Sequence, residues 1–249
     1  MSGHSKWAQI KRQKGANDAK RGALFTKVAR EITIAARGGA DPDGNFKLRL
    51  AIDKARAVNM PMENIKRAIE RAAGAGEAEQ YEEIVYEGYG PGGVAILVEA
   101  ATDNRNRTAA DVRAIFTRAG GQLAGAGAVA WQFQPRGVIA IPRDKQDADE
   151  VALMAIDLGA EDVDTDVDPL EVYTASSDLE HVRHGLEEAG VKIESAELAM
   201  QARNIVEVDA QHARQNLRLI ETLEDHDDVQ RVTANFEIPD EVLAEAALA

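Results

Sequence analysis

The sequence predicts an α+β multidomain protein: a basic three-helix N-terminal domain followed by two α/β domains, one inserted in the other. Three observations lead there. Charge is segregated: residues 1–72 hold 16 Lys+Arg against 7 Asp+Glu, and the rest of the 249-residue chain holds 13 against 36. Apolar spacing is helical up to residue 73 and switches to alternating strand and helix patterns after residue 82. Finally, a β-α-β-β-α-β order between residues 136 and 199 is followed by a β-α-β tail with no sheet of its own.

Taking the elements in order, residues 4–16 read as a basic tail carrying Lys6, Trp7, Lys11, Arg12 and Lys14 with little apolar periodicity. A helix is predicted from Asn17, a good cap, to Arg37. Leu24, Phe25, Val28, Ala29, Ile32, Ala35 and Ala36 make its apolar face, and Gly38-Gly39 stop it. A second helix spans Phe46–Val58, with Leu48, Ile52, Ala55 and Val58 inward. A third starts near Asn59-Met60-Pro61 and ends at Ala73, with Met62, Ile65, Ile69 and Ala72 as its stripe. Gly74-Ala75-Gly76-Glu77 reads as a linker. The expected domain boundaries are therefore 1–78, 79–134 plus 202–249, and 135–201.

Strands are predicted at Glu83–Gly88 and Val94–Ala101, joined through Gly90-Pro91-Gly92-Gly93. A helix is predicted at Asn104–Ala119 and a strand at Val129–Phe133. The next stretch reads as strand Val138–Ile141, helix Ala148–Leu158, strands Asp162–Asp166 and Leu170–Thr174, helix Ser177–Ala189 and a strand from Val191, a ferredoxin-like order. Ser177-x-x-Glu180 is a candidate capping box. The tail offers strand Ile205–Val208, helix Ala210–Leu223 and strand Val229–Phe236, which can complete the sheet begun by residues 83–133.

The basic segment is the strongest functional signal, pointing to nucleic acid as partner through Lys20, Arg21, Lys27, Arg30, Lys47, Arg49, Lys54, Arg56, Lys66, Arg67 and Arg71 on helix faces, beside the tail residues. The competing reading is a set of solvated faces balanced by neighbouring acids. Arg105 and Arg107, at a strand-to-helix junction with Asp103, Asn104 and Asn106, are candidates for phosphate contact, against plain helix capping. Gly88-Tyr89-Gly90-Pro91-Gly92-Gly93 matches a dinucleotide fingerprint in letters only. Val94–Val98 follows as a strand where that fingerprint needs a helix, so a hairpin is expected.

His181 and His184 stand i, i+3 without a marked third ligand. The Asp162, Asp164, Asp166 and Asp168 alternation is that of a half-buried strand, so no metal is expected. No nucleophile–base pair stands out and no cofactor is implied; an enzyme is not expected. There are no cysteines, no apolar run of membrane length and no signal-peptide core at the N-terminus, which fits a cytoplasmic protein. Tyr173 is the one aromatic of the acidic module, which makes that module a poor RNA platform and a better candidate for protein contact.

Several stretches resemble the YebC/PmpR family: Gly3-His4-Ser5-Lys6-Trp7, Asp18-Ala19-Lys20-Arg21, Phe25-Thr26-Lys27, Leu48–Ala55, Asn59-Met60-Pro61 and Ile65–Ile69. The resemblance continues through Tyr86–Gly93, Thr102–Thr108, Gly120-Gly121 and Val129–Phe133. It covers essentially the whole chain. It implies a helical N-terminal domain and two α/β ferredoxin-like domains, one inserted in the other. It further implies a DNA-binding transcriptional regulator, or, as in relatives acting in translation, a translational activator using the same basic surface on ribosomal RNA.

Overall fold

The computed structural model describes residues 18–73, 81–143 and 146–248; the side chains of residues 18–21, 73 and 246–248 are outside that description. The basic tail, Asn17 and the predicted linker therefore lie outside the described residues. The chain forms two compact units, residues 134–201 and the described residues on either side of them.

In the flanking unit, three helices come first: α1 (Asp18–Ala36), α2 (Phe46–Ala57) and α3 (Met62–Ala73). Val28, Ile32, Ala36, Leu48, Ala51, Ile52, Ala55, Met60, Ile65 and Ala68 bury one another in a small core. Two residues expected to face it do not. Leu24 precedes the packed stretch of α1, and Met62 is the first residue of α3; they are 39% and 51% exposed. Asn45 sets the corner between α1 and α2. Its Oδ1 accepts from Leu48 N at 3.1 Å, while its Nδ2 donates to Ala35 O and Gly39 O, both at 2.7 Å. The turn at 58–61 starts α3 after Asn59 takes a left-handed φ of 58°.

A four-stranded sheet follows, built from β1 (Glu82–Tyr89), β2 (Ala95–Thr102), β3 (Gln122–Leu123) and β9 (Val229–Ala234) in the order β3-β1-β2-β9. The helices α4 (Arg105–Arg118) and α7 (Ala210–Glu224) pack on it. Their core joins Val112 and Phe116 to Leu217, Ile220, Leu223, Val232 and Phe236. β2 is apolar nearly throughout and buried nearly throughout, as a central strand should be. The β1–β2 pairing runs from Glu82↔Thr102 to Tyr89↔Ala95. Between them Gly90 N donates to Val94 O at 2.8 Å, and Gly92 and Gly93 take φ values of 77° and 79°. This is a hairpin, so no helix opens after the glycines.

Several assignments change; the strand expected from Val191, for instance, starts only at Ser195. The segment expected as strand Val129–Phe133 is a short 3₁₀ turn at Ala130–Gln132, with β4 (Phe133–Ile141) starting only at Phe133. The predicted strand Val229–Phe236 breaks after Ala234. Asn235 Oδ1 accepts from Ala95 N at 2.7 Å, and β10 (Phe236–Glu237) then pairs in parallel with β8 (Val206–Glu207). A C-terminal helix, α8 (Asp240–Leu248), follows.

The unit of residues 134–201 contains most of β4, then α5 (Ala148–Asp157), β5 (Asp162–Asp164), β6 (Leu170–Ala175), α6 (Leu179–Glu188) and β7 (Ser195–Ala202). Its sheet order, β5-β6-β4-β7, is that of a ferredoxin-like module. Ile139, Ile141, Val151, Ala155, Leu170, Val172, Leu179, Val182 and Leu186 are buried. The capping box does not form. Asp178 is the N-cap with no side-chain cap bond, and Ser177 Oγ donates instead to Asp178 Oδ1 at 3.0 Å.

Candidate nucleic-acid interface

The predicted cations divide sharply by what they touch. Lys27 reaches the carbonyl of Glu224, at the end of α7. Arg30 donates to Asp228 Oδ1 and to Asp227 O, both at 2.7 Å, and lies 5.2 Å from the Tyr81 ring centroid. Arg49 donates to Pro42 O at 3.1 Å and covers the Phe46 ring. Lys54 pairs with Glu31 of α1 at 2.7 Å. These four hold the helical module to itself or to the sheet. Lys47, Lys66 and Arg71 are exposed, and none of them has an ion-pair partner among the described residues. Arg56 and Arg67 pair only with Asp53 at 3.3 Å and Glu63 at 3.8 Å on their own helices; such exposed pairs hold the side chains weakly. Lys20 and Arg21 belong to α1, with side chains outside the description, and Lys6, Trp7, Lys11, Arg12 and Lys14 lie outside the described residues.

Arg105 is exposed at the start of α4. Arg107 is drawn inward at one end. Its Nη2 donates to Asp103 Oδ1 and to Asp228 Oδ2, each at 2.8 Å, while Asn104 caps the helix by accepting from Arg107 N at 3.1 Å. Capping and an internal ion pair thus occupy the junction.

Asp228 is the feature the sequence reading missed. It is 2% exposed, and it accepts from Arg30, Arg107, Thr108 Oγ1 at 2.7 Å and Thr102 Oγ1 at 3.2 Å. One carboxylate therefore ties α1, the end of β2 and the first turn of α4 to the loop before β9. Burial opposes its charge, but the bonds from Arg107, Thr108 and Arg30 outweigh that and bring its pKa down to about 2. The only hint in sequence was an acid run, Asp225-His226-Asp227-Asp228, which reads equally as a solvated turn. A cleft of about 530 Å³ opens beside it, lined by Arg30, Asp103, Arg107, Asp111 and residues 225–228.

Glu87 was missed too. It is 6% exposed and accepts from Gly127 N and Val129 N at 2.6 Å and Ala130 N at 2.8 Å. Burial pushes its pKa up, and these three N–H groups pull it further down, leaving it below the ordinary carboxylate value. In the acidic module, Tyr173 is 7% exposed and its hydroxyl donates to Glu171; burial first, then that carboxylate, push its pKa up. Its ring is not an open stacking surface. His184 faces Glu188 at 3.5 Å on an exposed helix face, and among the described residues no group of three His, Asp or Glu is arranged to hold a metal ion. Nor, among those residues, is any helix long and apolar enough to cross a membrane.

The fold and these contacts define a class: an α+β protein in which a basic three-helix module is pinned through a buried carboxylate to a split α/β domain. Residues 5–75 match the family model described as the TACO1/YebC protein N-terminal domain, and residues 81–236 match the TACO1/YebC second and third domain. The chain belongs to this family. A Rubrobacter xylanophilus protein named a probable transcriptional regulatory protein is 56% identical over 249 residues, covering 99% of this chain and 100% of its own. A Chlorobaculum tepidum protein of the same description is 52% identical, covering 98% of each. The crystal structure of a conserved hypothetical protein from Aquifex aeolicus superposes with a TM-score of 0.85 at 46% identity, covering 91% of this chain and 94% of its own.

Proposed function

We propose that the protein is a non-enzymatic, DNA-binding transcriptional regulator that works through its basic N-terminal domain. The observation carrying this is the outward face of α3. Two twelve-residue helices, α2 and α3, are joined by the short turn 58–61 with its left-handed Asn59, the kind of connection a helix-turn-helix uses. The second helix exposes Lys66, Arg67 and Arg71. Lys47 and the tail cations Lys6, Lys11, Arg12 and Lys14 add to the same end of the sequence. The name shared by the relatives, probable transcriptional regulatory protein, supports the same reading. Three modules are proposed: residues 1–78 for nucleic acid, 79–134 with 202–249 as the frame, and 135–201 for protein contact, in the cytoplasm.

One observation favours a second reading. Among the described side chains, the exposed positions of α3 are Met62, Glu63, Lys66, Arg67, Glu70 and Arg71, with no exposed amide to pair with an adenine edge. The cations of that helix suit the phosphates of ribosomal RNA as well as those of DNA. Equilibrium binding to duplex DNA and to purified ribosomes over a salt series separates the two. DNA binding that persists at near-physiological salt is the expected outcome. Ribosome binding that survives where DNA binding has vanished would replace transcription with translation as the function. A variant with Lys6, Lys11, Arg12 and Lys14 reversed in charge should bind either target more weakly.

A further inference from the structure

The loop between α4 and β4 is the most unusual surface outside the basic helices. In a chain with 29% charged residues, residues 119–135 contain none, nor do residues 88–98 of the facing hairpin. This end of the sheet is rich in glycine, and close packing requires it: a Cβ on Gly121 would lie 2.6 Å from Tyr89 O. The loop is nevertheless rigidly held, since Glu87 takes the N–H groups of Gly127, Val129 and Ala130. On this fixed base stands Trp131, 64% exposed. Its Nε1 donates to Ala128 O at 3.1 Å, and the hydroxyl of Tyr89 donates to the same oxygen at 3.0 Å. The polar edges of both rings meet at one atom, and both residues are exposed, Tyr89 to 36%. Arg203 is beside Trp131: its backbone N–H donates to Gln132 O at 2.7 Å, its guanidinium Nε donates to Phe133 O at 3.4 Å, and the exposed guanidinium has no ion pair among the described residues.

We infer that Trp131, Tyr89 and Arg203 form a stacking site for an unpaired nucleobase, with Arg203 placed for the adjoining phosphate. The inference rests on the nucleic-acid reading above and extends it to a second contact. A tryptophan whose N–H is already satisfied offers a partner only its π face and apolar edge, which any base can use. A neighbouring guanidinium that forms no ion pair, with its Nε donating to Phe133 O at 3.4 Å, still has its outer N–H groups to offer a phosphate. A protein interface would call for a broad apolar core, whereas here two rings stand on a short glycine-rich base whose carboxylate, Glu87, is buried. The site lies at the Tyr89 end of β1, and the Asp228 junction lies at the Thr102 end of β2, opposite Glu82. Eight residues of strand separate them by roughly 25 Å, so the basic helices do not provide this contact.

Trp7→Phe leaves Trp131 as the single tryptophan of the chain. Titrating it with a ten-nucleotide oligoadenylate RNA should quench its emission. In the wild-type background, Trp131→Ala should weaken oligoadenylate binding roughly ten-fold without changing the salt slope, and Trp131→Phe should restore most of it. Binding of blunt duplex DNA should be unaffected by either. Unfolding midpoints in urea verify that the variants fold. If oligoadenylate binds but leaves the emission and the Trp131→Ala affinity unmoved, the stacking site is wrong, the aromatic pair belongs to a protein contact, and the basic-domain function stands. If Lys66→Glu with Arg71→Glu leaves duplex binding intact while Trp131 is still quenched, the basic-domain reading fails and the stacking site survives. Absence of binding to either nucleic acid overturns both.

Discussion

A single carboxylate, Asp228, collects two guanidinium groups and two hydroxyls while almost fully buried. Removing its charge would leave Arg30 half-satisfied in a part-buried site, which is the costly way to break an ion pair. Asp228→Asn should lower stability by about 3 kcal/mol, read as a shifted urea midpoint with unchanged slope. The pH dependence has a definite sign. The folded pKa, about 2, lies below the ordinary aspartate value of 3.8. Stability from this group is therefore complete above about pH 4 and drains away as pH falls through 2, by on the order of 2 kcal/mol in all. The variant's acid-unfolding curve should be flatter than wild type over that window; parallel curves would show that Asp228 does not carry the charge. Glu87 tests the same principle at the loop. Gln offers one acceptor oxygen where three N–H groups converge, so Glu87→Gln should cost about 2 kcal/mol and raise hydrogen exchange at Gly127, Val129 and Ala130.

Among elements, the helices and central strands were legible because their apolar periods are strong and their caps are local. Asn104 caps, one of the readings the junction allowed, whereas the expected Ser177 box does not form. What could not be read from local pattern depends on partners distant in sequence. The break after Ala234 arises because Asn235 serves Ala95, and the loop around Trp131 takes its shape from Glu87, some forty residues earlier. The basic faces were legible as charge, but their division was not. Lys54 and Lys66 look alike in sequence, yet only Lys54 has an acid from another helix at 2.7 Å. The hairpin has its own signature of close approach: a Cβ at Gly88 would sit 2.6 Å from the Phe116 ring and 2.9 Å from Gln122 O. Since Phe116 is fully buried and Gln122 O is backbone, neither can yield cheaply. Gly88→Ala should destabilise by about 2 kcal/mol and detach β3 from β1, measurable as lost amide protection at Leu123.

At the scale of the whole chain, the net charge of −14 conceals an excess of nine cations in residues 1–72 and of 23 acids beyond them. A polyanion is then drawn to one segment and repelled elsewhere, so affinity should fall steeply with salt for as long as the basic face is intact. Reversing Lys47, Lys66 and Arg71 together should reduce the slope of log K against log salt for duplex DNA by roughly 3, one phosphate contact for each cation. The Asp228 bonds make the helical module and the sheet one body at that junction, while the Trp131 loop stands at the far end of β1. Two contacts so separated share no side chain. For an oligonucleotide carrying both a duplex and a single-stranded end, the losses caused by the triple charge variant and by Trp131→Ala should add in free energy to within about 0.5 kcal/mol, with only the former altering the salt slope. Strong coupling in that cycle would mean that the aromatic pair and the basic helices meet the nucleic acid through one continuous surface, against the separation that β1 imposes.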